Sequence, residues 1–387
     1  MKIGILGAGS MGRGIAQIAA TFGHQVVLYD RHPKAGEQAI VSLKKIFSRL
    51  VKKGRMDAKQ PTAILDRIEL ADRMEAYADC DLIVEAIIED LNLKRKAFQL
   101  LEAIVRPDCI LATNTSSLSI TAIAAGCEKA NRVLGIHFFN PAPVMKLVEI
   151  IPAIQTSEAN LKKARALIDS WKKATVLAKD TPGFIVNRIA RPFYGEALRI
   201  LEEGIANVAT IDWAMTELGG FRMGPFTLMD YIGNDVNYVV TETVFRAFYN
   251  DPRYKPAFTQ KRLSEAGYWG RKTGRGYYDY AEEAQNPASH EDKPLGEAIV
   301  NRIVAMLINE AADALFWQVA SKEDIDRAMT KGVNYPKGLL AWADEMGIQT
   351  CVDRMDALYQ EYREDRYRCS PILRRMAKKG TRFFVQA

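Results

Sequence analysis

Lys2-Ile3-Gly4-Ile5-Leu6-Gly7-Ala8-Gly9-Ser10-Met11-Gly12 opens with a short apolar run, passes through a glycine-rich turn and enters a helical pattern. A second apolar run, Val26–Tyr29, ends at Asp30, 18 residues beyond Gly12. Glycine triplets are common in turns, so G-x-G-x-x-G alone carries little weight. Set between a strand and a helix, with an acid closing the next strand, it is the fingerprint of a dinucleotide site. Gly7 permits the tight turn, Gly9 lets the backbone approach a pyrophosphate, and Gly12 lets helix and strand pack closely. Ser10 and Met11 fill the variable positions of the same turn and count with it as cofactor-binding candidates. The helix N-terminus adds free N–H groups and a positive dipole end. Asp30 is placed to accept hydrogen bonds from the adenosine ribose. A 2′-phosphate there would meet a repulsion of at most ~4 kcal/mol, so NAD is expected over NADP, although the neighbouring Arg31 is a group that accommodates such a phosphate.

Outward from this turn, apolar runs at Leu82–Glu85, Ile110–Thr113, Val133–Ile136 and Lys146–Ile150 alternate with helical periodicity, including a long charged stretch from about Lys34 to Lys53. That is the signature of βαβ units and a parallel sheet. After Asp180-Thr181-Pro182-Gly183 the alternation stops and helical periodicity takes over. Pro182 suits the first turn of a helix, and the main boundary is placed there. Beyond it the chain repeats itself. Ile185-Val186-Asn187-Arg188-Ile189 recurs as Ile299-Val300-Asn301-Arg302-Ile303, 114 residues later, and Ile211-Asp212 recurs as Ile325-Asp326 at the same offset. Glu196/Glu310, Asp230/Asp344 and Gly233/Gly347 keep that spacing. The helical part therefore reads as a duplicated domain joined by a polar linker. The expected domains are residues 1–180, 181–281 and 295–387.

Length and composition agree with this. A chain of 387 residues, 48% apolar and 26% charged, fits a soluble globular protein of two or three domains and excludes disordered, collagenous or disulfide-framework classes. The net charge is +6, and from Val352 onward nine Lys/Arg face five Asp/Glu, a balance read as a solvated helical face rather than a nucleic-acid arm. Five cysteines without C-x-x-C spacing are read as reduced thiols. No run approaches the ~18 apolar residues of a membrane span. A cytoplasmic location, with no membrane, nucleic-acid or metal partner, is expected.

Of four histidines, His24 and His32 fall in turns and His290 in the linker. His137 ends an apolar strand run, at the edge where doubly wound sheets place their ligands. Alone, it would as readily be structural. Glu149 lies in the next run, and Asn140-Pro141-Ala142-Pro143 between them suggests a tight connection that sets Glu149 beside His137. A carboxylate on one ring nitrogen fixes the tautomer and supports the imidazolium that forms when a base takes a proton from an alcohol. Asn114-Thr115-Ser116-Ser117 follows the Ile110–Thr113 run, and by composition these residues cap a helix from Leu118.

From Met1 to about Tyr280 these motifs resemble the L-3-hydroxyacyl-CoA dehydrogenase family, including its 3-hydroxybutyryl-CoA dehydrogenases. The resemblance rests on Gly7–Gly12, Val84-Glu85-Ala86-Ile87-Ile88-Glu89, Asn114–Leu118, His137-Phe138-Phe139-Asn140-Pro141, Met145-Lys146-Leu147-Val148-Glu149, Asp180–Phe184 with Asn187-Arg188, and Gly274-Arg275-Gly276-Tyr277-Tyr278. It implies oxidation of a 3-hydroxyacyl-CoA, with His137 as general base and Glu149 as its partner. Ser116 would bond the substrate oxygen and Asn187 would hold the reacting end. Asp30, Glu89, Lys94 and Asn114 would contact NAD, and Asn140 would border the nicotinamide. The basic strip Lys44, Lys45, Arg49, Lys52 and Lys53 lies on the helix that meets coenzyme A in the family, which singles out Ser42, Arg49 and Lys53, although a solvated face explains it equally well.

The expected architecture is α/β, a Rossmann-like doubly wound, mostly parallel sheet followed by two homologous all-helical domains. The second helical copy lacks a nucleotide domain, so Asn301 is read as vestigial and the copy as covering, within one chain, the surface through which relatives dimerise. Either a monomer or a homodimer fits. The rival readings are a dehydrogenase of free sugar acids and an NAD-binding protein without turnover.

Overall fold

Strands covered on both faces must be apolar on both faces, and Ile3-Gly4-Ile5-Leu6 and Leu82-Ile83-Val84 meet that requirement. The computed structural model describes residues 1–384; they form two compact units, the first Met1–Thr181 and the second beginning at Pro182. The first unit holds β1 (Lys2–Leu6), β2 (Gln25–Tyr29), β3 (Ile68–Leu70), β4 (Leu82–Glu85), β5 (Ile110–Thr113), β6 (Val133–Phe138), β7 (Leu147–Pro152) and β8 (Ala174–Leu177). They form one sheet in the order β3-β2-β1-β4-β5-β6-β7-β8. All neighbours run parallel except β6 and β7, which are antiparallel. This is the doubly wound, mostly parallel sheet that the motifs implied. The strand order reverses between β1 and β4, which puts the glycine turn at the switch point. β3 and β8 were not expected: with three and four residues, they carry too little pattern to read. Six helices, α1 (Ser10–Thr21), α2 (Pro33–Lys52), α3 (Gln60–Leu65), α4 (Leu91–Ile104), α5 (Ile120–Ala124) and α6 (Glu158–Ser170), connect the strands.

The second unit is helical: α7 (Val186–Ile189), α8 (Arg191–Glu202), α9 (Val208–Trp213), α10 (Pro225–Ile232), α11 (Asn234–Ala247), α12 (Phe258–Glu265), α13 (Lys293–Phe316), α14 (Lys322–Gly332), α15 (Leu339–Met346), α16 (Ile348–Tyr362) and α17 (Pro371–Lys379). Shifted by the 114-residue offset, α10 falls on α15 and α11 on α16, and α7 and α8 fall inside the single long α13. Each α10-like helix ends on a glycine at positive φ, Gly233 at 106° and Gly347 at 90°, a conformation that glycine adopts without cost. Pro182 does not begin a helix. It lies in a turn with Gly183 and Phe184 at positive φ (73° and 48°), and helix starts at Val186.

The regions expected as separate domains at 181–281 and 295–387 belong to one compact unit. The reason is visible in α13, where Ile303 through Ala314 are all buried, as a helix surrounded by others requires. The two copies also exchange ion pairs reciprocally. Arg188 of the first donates to Glu310 of the second at 2.6 Å, and Arg302 of the second donates to Glu196 of the first at 3.0 Å. Arg253 and Tyr254 add to Glu310 as Arg366 and Tyr367 add to Glu196. Two buried carboxylates, each neutralised by arginines, satisfy the demand that buried charge be paired. No described helix is long and apolar enough to cross a membrane.

Candidate active site

The turn after β1 is tight because Gly7 adopts φ +105°, and a Cβ there would sit 2.6 Å from the Ala86 carbonyl oxygen. Gly12 has no alternative: its Cβ would lie 1.8 Å from the Gly7 carbonyl oxygen. Gly9 differs, since a Cβ there would meet nothing within 4 Å. Its missing side chain leaves open space before the N-terminus of α1, whose first turn carries no acid. A pyrophosphate fits that description, and the chain's own residues therefore suit NAD. Asp30 does double duty. Its carboxylate accepts from Ala8 N at 2.8 Å and His32 N at 2.9 Å, so it braces the glycine turn while standing at the end of β2. Arg31 turns its Nε to His32 at 3.2 Å.

β6 and β7 pair with His137 directly opposite Glu149, and opposite residues of an antiparallel pair share a face. His137 Nδ1 and Glu149 Oε2 lie 2.6 Å apart, the carboxylate fully buried and the ring 5% exposed. The connecting turn passes through a cis Asn140–Pro141 bond. It is fixed by Lys173, whose ammonium donates to the Ala142 and Met145 carbonyls at 2.7 Å each. Burial lowers the Lys173 pKa to about 8. Nothing in the sequence marked this lysine, because it follows α6, 28 residues beyond the turn that it holds. Ser10 reaches toward Asn140 at 3.5 Å, so Asn140 borders the glycine turn.

A second network orders the loop after β5. Glu89 accepts from the Thr115 hydroxyl at 2.5 Å, the Ser117 hydroxyl at 3.0 Å and Ser116 N at 3.1 Å. Lys94 is buried, bonded to Glu85 at 2.6 Å and 3.3 Å from Glu89, and thus lies behind Glu89 as its counter-charge. Asn114 accepts from Phe138 N at 2.8 Å, tying the end of β5 to the residue after His137. The expected helix from Leu118 begins instead at Ile120, capped by Ser119, because Thr115 uses its hydroxyl to hold the Leu118 N–H. Asp180 clamps the same helix start, accepting from Ile120 N, Thr121 N and the Ser119 hydroxyl, a role its place in the boundary motif concealed.

On α2 and at its C-cap, Ser42, Arg49 and Lys53 fall on one face, with Arg49 and Lys53 exposed. In the second unit Asn187 is half-buried on α7, whereas Asn301 is exposed on α13. Among the described residues no group of His, Cys, Asp and Glu could hold a metal ion. Burial pushes the thiols of Cys80, Cys109, Cys127 and Cys369 up to about 12, which makes them poor nucleophiles.

Geometry of this kind belongs to enzymes that exchange a hydride with a nicotinamide and a proton with a histidine. The 3-hydroxyacyl-CoA dehydrogenase NAD binding domain matches residues 2–181, and the family's C-terminal domain matches residues 183–280 and 299–382. The chain is 36% identical to 3-hydroxyadipyl-CoA dehydrogenase of Escherichia coli K12, covering 97% of each chain. It is 40% identical to 3-hydroxybutyryl-CoA dehydrogenase of Clostridioides difficile, over 72% of this chain and 99% of that one. A crystal structure of 3-hydroxybutyryl-CoA dehydrogenase from Escherichia coli K12 superposes with a TM-score of 0.92 at 36% identity, covering 98% of both chains. The chain belongs to the 3-hydroxyacyl-CoA dehydrogenase family.

Burial alone would raise the Glu89 pKa, but Lys94 and the donors from Thr115, Ser117 and Ser116 outweigh it and hold the carboxyl below its ordinary 4.5. A lowered carboxyl contributes stability that is present above its unfolded value and lost as pH falls through the folded one. The difference in Tm between the parent and Glu89→Gln is therefore expected to be largest near pH 7 and to shrink below pH ~4. Thermal melts across that range check it, and a difference independent of pH would contradict it.

Proposed function

We propose that the chain oxidises (S)-3-hydroxyacyl-CoA to 3-ketoacyl-CoA reversibly with NAD. NAD, when bound, supplies the acceptor for the hydride that leaves C3. His137 takes the hydroxyl proton at Nε2, since Nδ1 is engaged by Glu149, and the C3–O bond becomes a carbonyl as both hydrogens depart. Glu149 stabilises the imidazolium so formed. Ser116 hydrogen-bonds the substrate oxygen and Asn187 holds the reacting end of the acyl chain. Gly7, Gly9, Ser10, Met11 and Gly12 receive the pyrophosphate, and Asp30 the adenosine ribose. Glu89, Asn114 and Asn140 line the nicotinamide half, with Lys94 acting through Glu89. Ser42, Arg49 and Lys53 meet coenzyme A, whose phosphates suit exposed cations. The observation that carries this reading is the 2.6 Å pairing of His137 with Glu149.

The duplicated helical region takes the place of a second subunit. The Arg188–Glu310 and Arg302–Glu196 pairs have the reciprocal form of an isologous contact, in which residue i meets j and j meets i. A monomer or a homodimer is compatible with this arrangement, and the cytoplasm is the location proposed.

Replacing a general base removes ~10²–10⁴ of the rate. His137→Gln is expected to lose at least that much kcat with 3-hydroxybutyryl-CoA and to bind NADH, by fluorescence titration, within a factor of about two of the parent. Turnover within tenfold of the parent would overturn the assignment. Deleting residues 293–387 uncovers α8 and leaves Arg188 and Glu196 without partners, so the truncated protein should dimerise or aggregate. Light scattering that finds it monomeric and soluble would contradict the stand-in role.

A further inference from the structure

The turn that reverses the chain between β6 and β7 gathers its carbonyls on one cation. Pro141 O accepts from Val144 N at 2.9 Å and from Met145 N at 3.0 Å, which closes the turn on itself. Ala142 O and Met145 O both accept from the Lys173 ammonium at 2.7 Å. Lys173 lies outside the turn, between α6 and β8, and is half-buried. One charged donor shared by two carbonyls fixes their separation, and hydrogen bonds to a charged donor are the stronger kind.

On its other side the turn is seated on α1. A Cβ added to Gly14 would lie 3.2 Å from both Ala142 Cβ and Pro143 Cδ, so helix and turn already touch closely. α1 follows the glycine turn directly, and Asn140, at the head of the reversing turn, stands 3.5 Å from Ser10. Lys173 therefore governs where Asn140 stands relative to the glycine turn. The pairing of His137 with Glu149 is set separately, by the β6–β7 ladder.

We propose that Lys173 is a positioning residue for the nicotinamide half of the cofactor: its ammonium holds the turn and Asn140 ready for NADH, and losing that charge releases the turn and weakens the grip on that half alone. The inference rests on the cofactor reading above, in which Asn140 lines the nicotinamide half.

Burial lowers the Lys173 pKa to about 8, so the charge is present at neutral pH and lost above that value. The carboxylates on neighbouring elements are engaged elsewhere, Asp169 of α6 by Thr175 and Glu149 by His137. His24, beyond the end of α1, accepts from Trp171 Nε1 at 2.9 Å. Arg13 on α1, Lys146 before β7 and the adjacent Lys172 are cations and offer Lys173 no counter-charge.

The test is calorimetric titration with NADH and with ADP-ribose, which lacks the nicotinamide, between about pH 6.5 and pH 9.5. In the parent the Kd for NADH should rise on the order of tenfold through about pH 8, as when the competent turn falls to a tenth of the molecules. The Kd for ADP-ribose should change by less than about twofold. Lys173→Met should bind NADH about tenfold more weakly already at neutral pH, with ADP-ribose binding kept. Lys173→Arg, whose charge persists throughout, should bind NADH without the alkaline rise. A parent whose NADH affinity is flat across this range, an arginine variant that shows the same rise, or equal weakening of NADH and ADP-ribose would overturn the proposal. Should Lys173→Met not fold, the parent and Lys173→Arg titrations decide it. A parent that binds neither ligand at neutral pH would overturn the cofactor reading itself.

Discussion

Parallel neighbours in a sheet are joined only through a crossover, so a residue that follows soon after a strand's carboxyl end cannot return beside it in a parallel strand. Here the chain turns back after β6 and lays β7 antiparallel beside it. That reversal is the constraint on which the proposed catalytic arrangement depends. It sets Glu149 directly across from His137, with the carboxylate fully buried, where its attraction for a developing imidazolium is least screened.

The supports of this pair are polar and local. Lys173 fixes the reversing turn through two carbonyls, Asn114 holds the Phe138 amide, and Glu89 gathers three groups of the loop that carries Ser116. Lys173 and Asn114 act on backbone groups, and Glu89 on one backbone amide and two hydroxyls. The helical unit is organised differently. There two buried carboxylates and the arginines around them bind the sequence copies to each other across α13.

Much of this was legible in the residues. Gly7, Gly9, Gly12 and Asp30 carry the nucleotide turn in their types and spacing, and the 114-residue repeat anticipates the helices that recur as α15 and α16. His137 and Glu149 could be paired because both lie in apolar runs joined by a proline-rich turn. Other features depend on contacts that sequence does not advertise. The short strands β3 and β8 lack a periodic signal, Lys173 and Asp180 act at a distance from their sequence neighbours, and the start of the second unit at Pro182 is a left-handed turn where helix was expected.

If one proton acceptor and its carboxylate act as a unit, their substitutions are not additive. The most direct measurement is a double-mutant cycle on kcat with His137→Gln, Glu149→Gln and the pair together. The account predicts that the double variant is no slower than His137→Gln alone, within a factor of about three. Losses that multiply, so that removing Glu149 slows an enzyme already lacking His137 as much as it slows the parent, would contradict it.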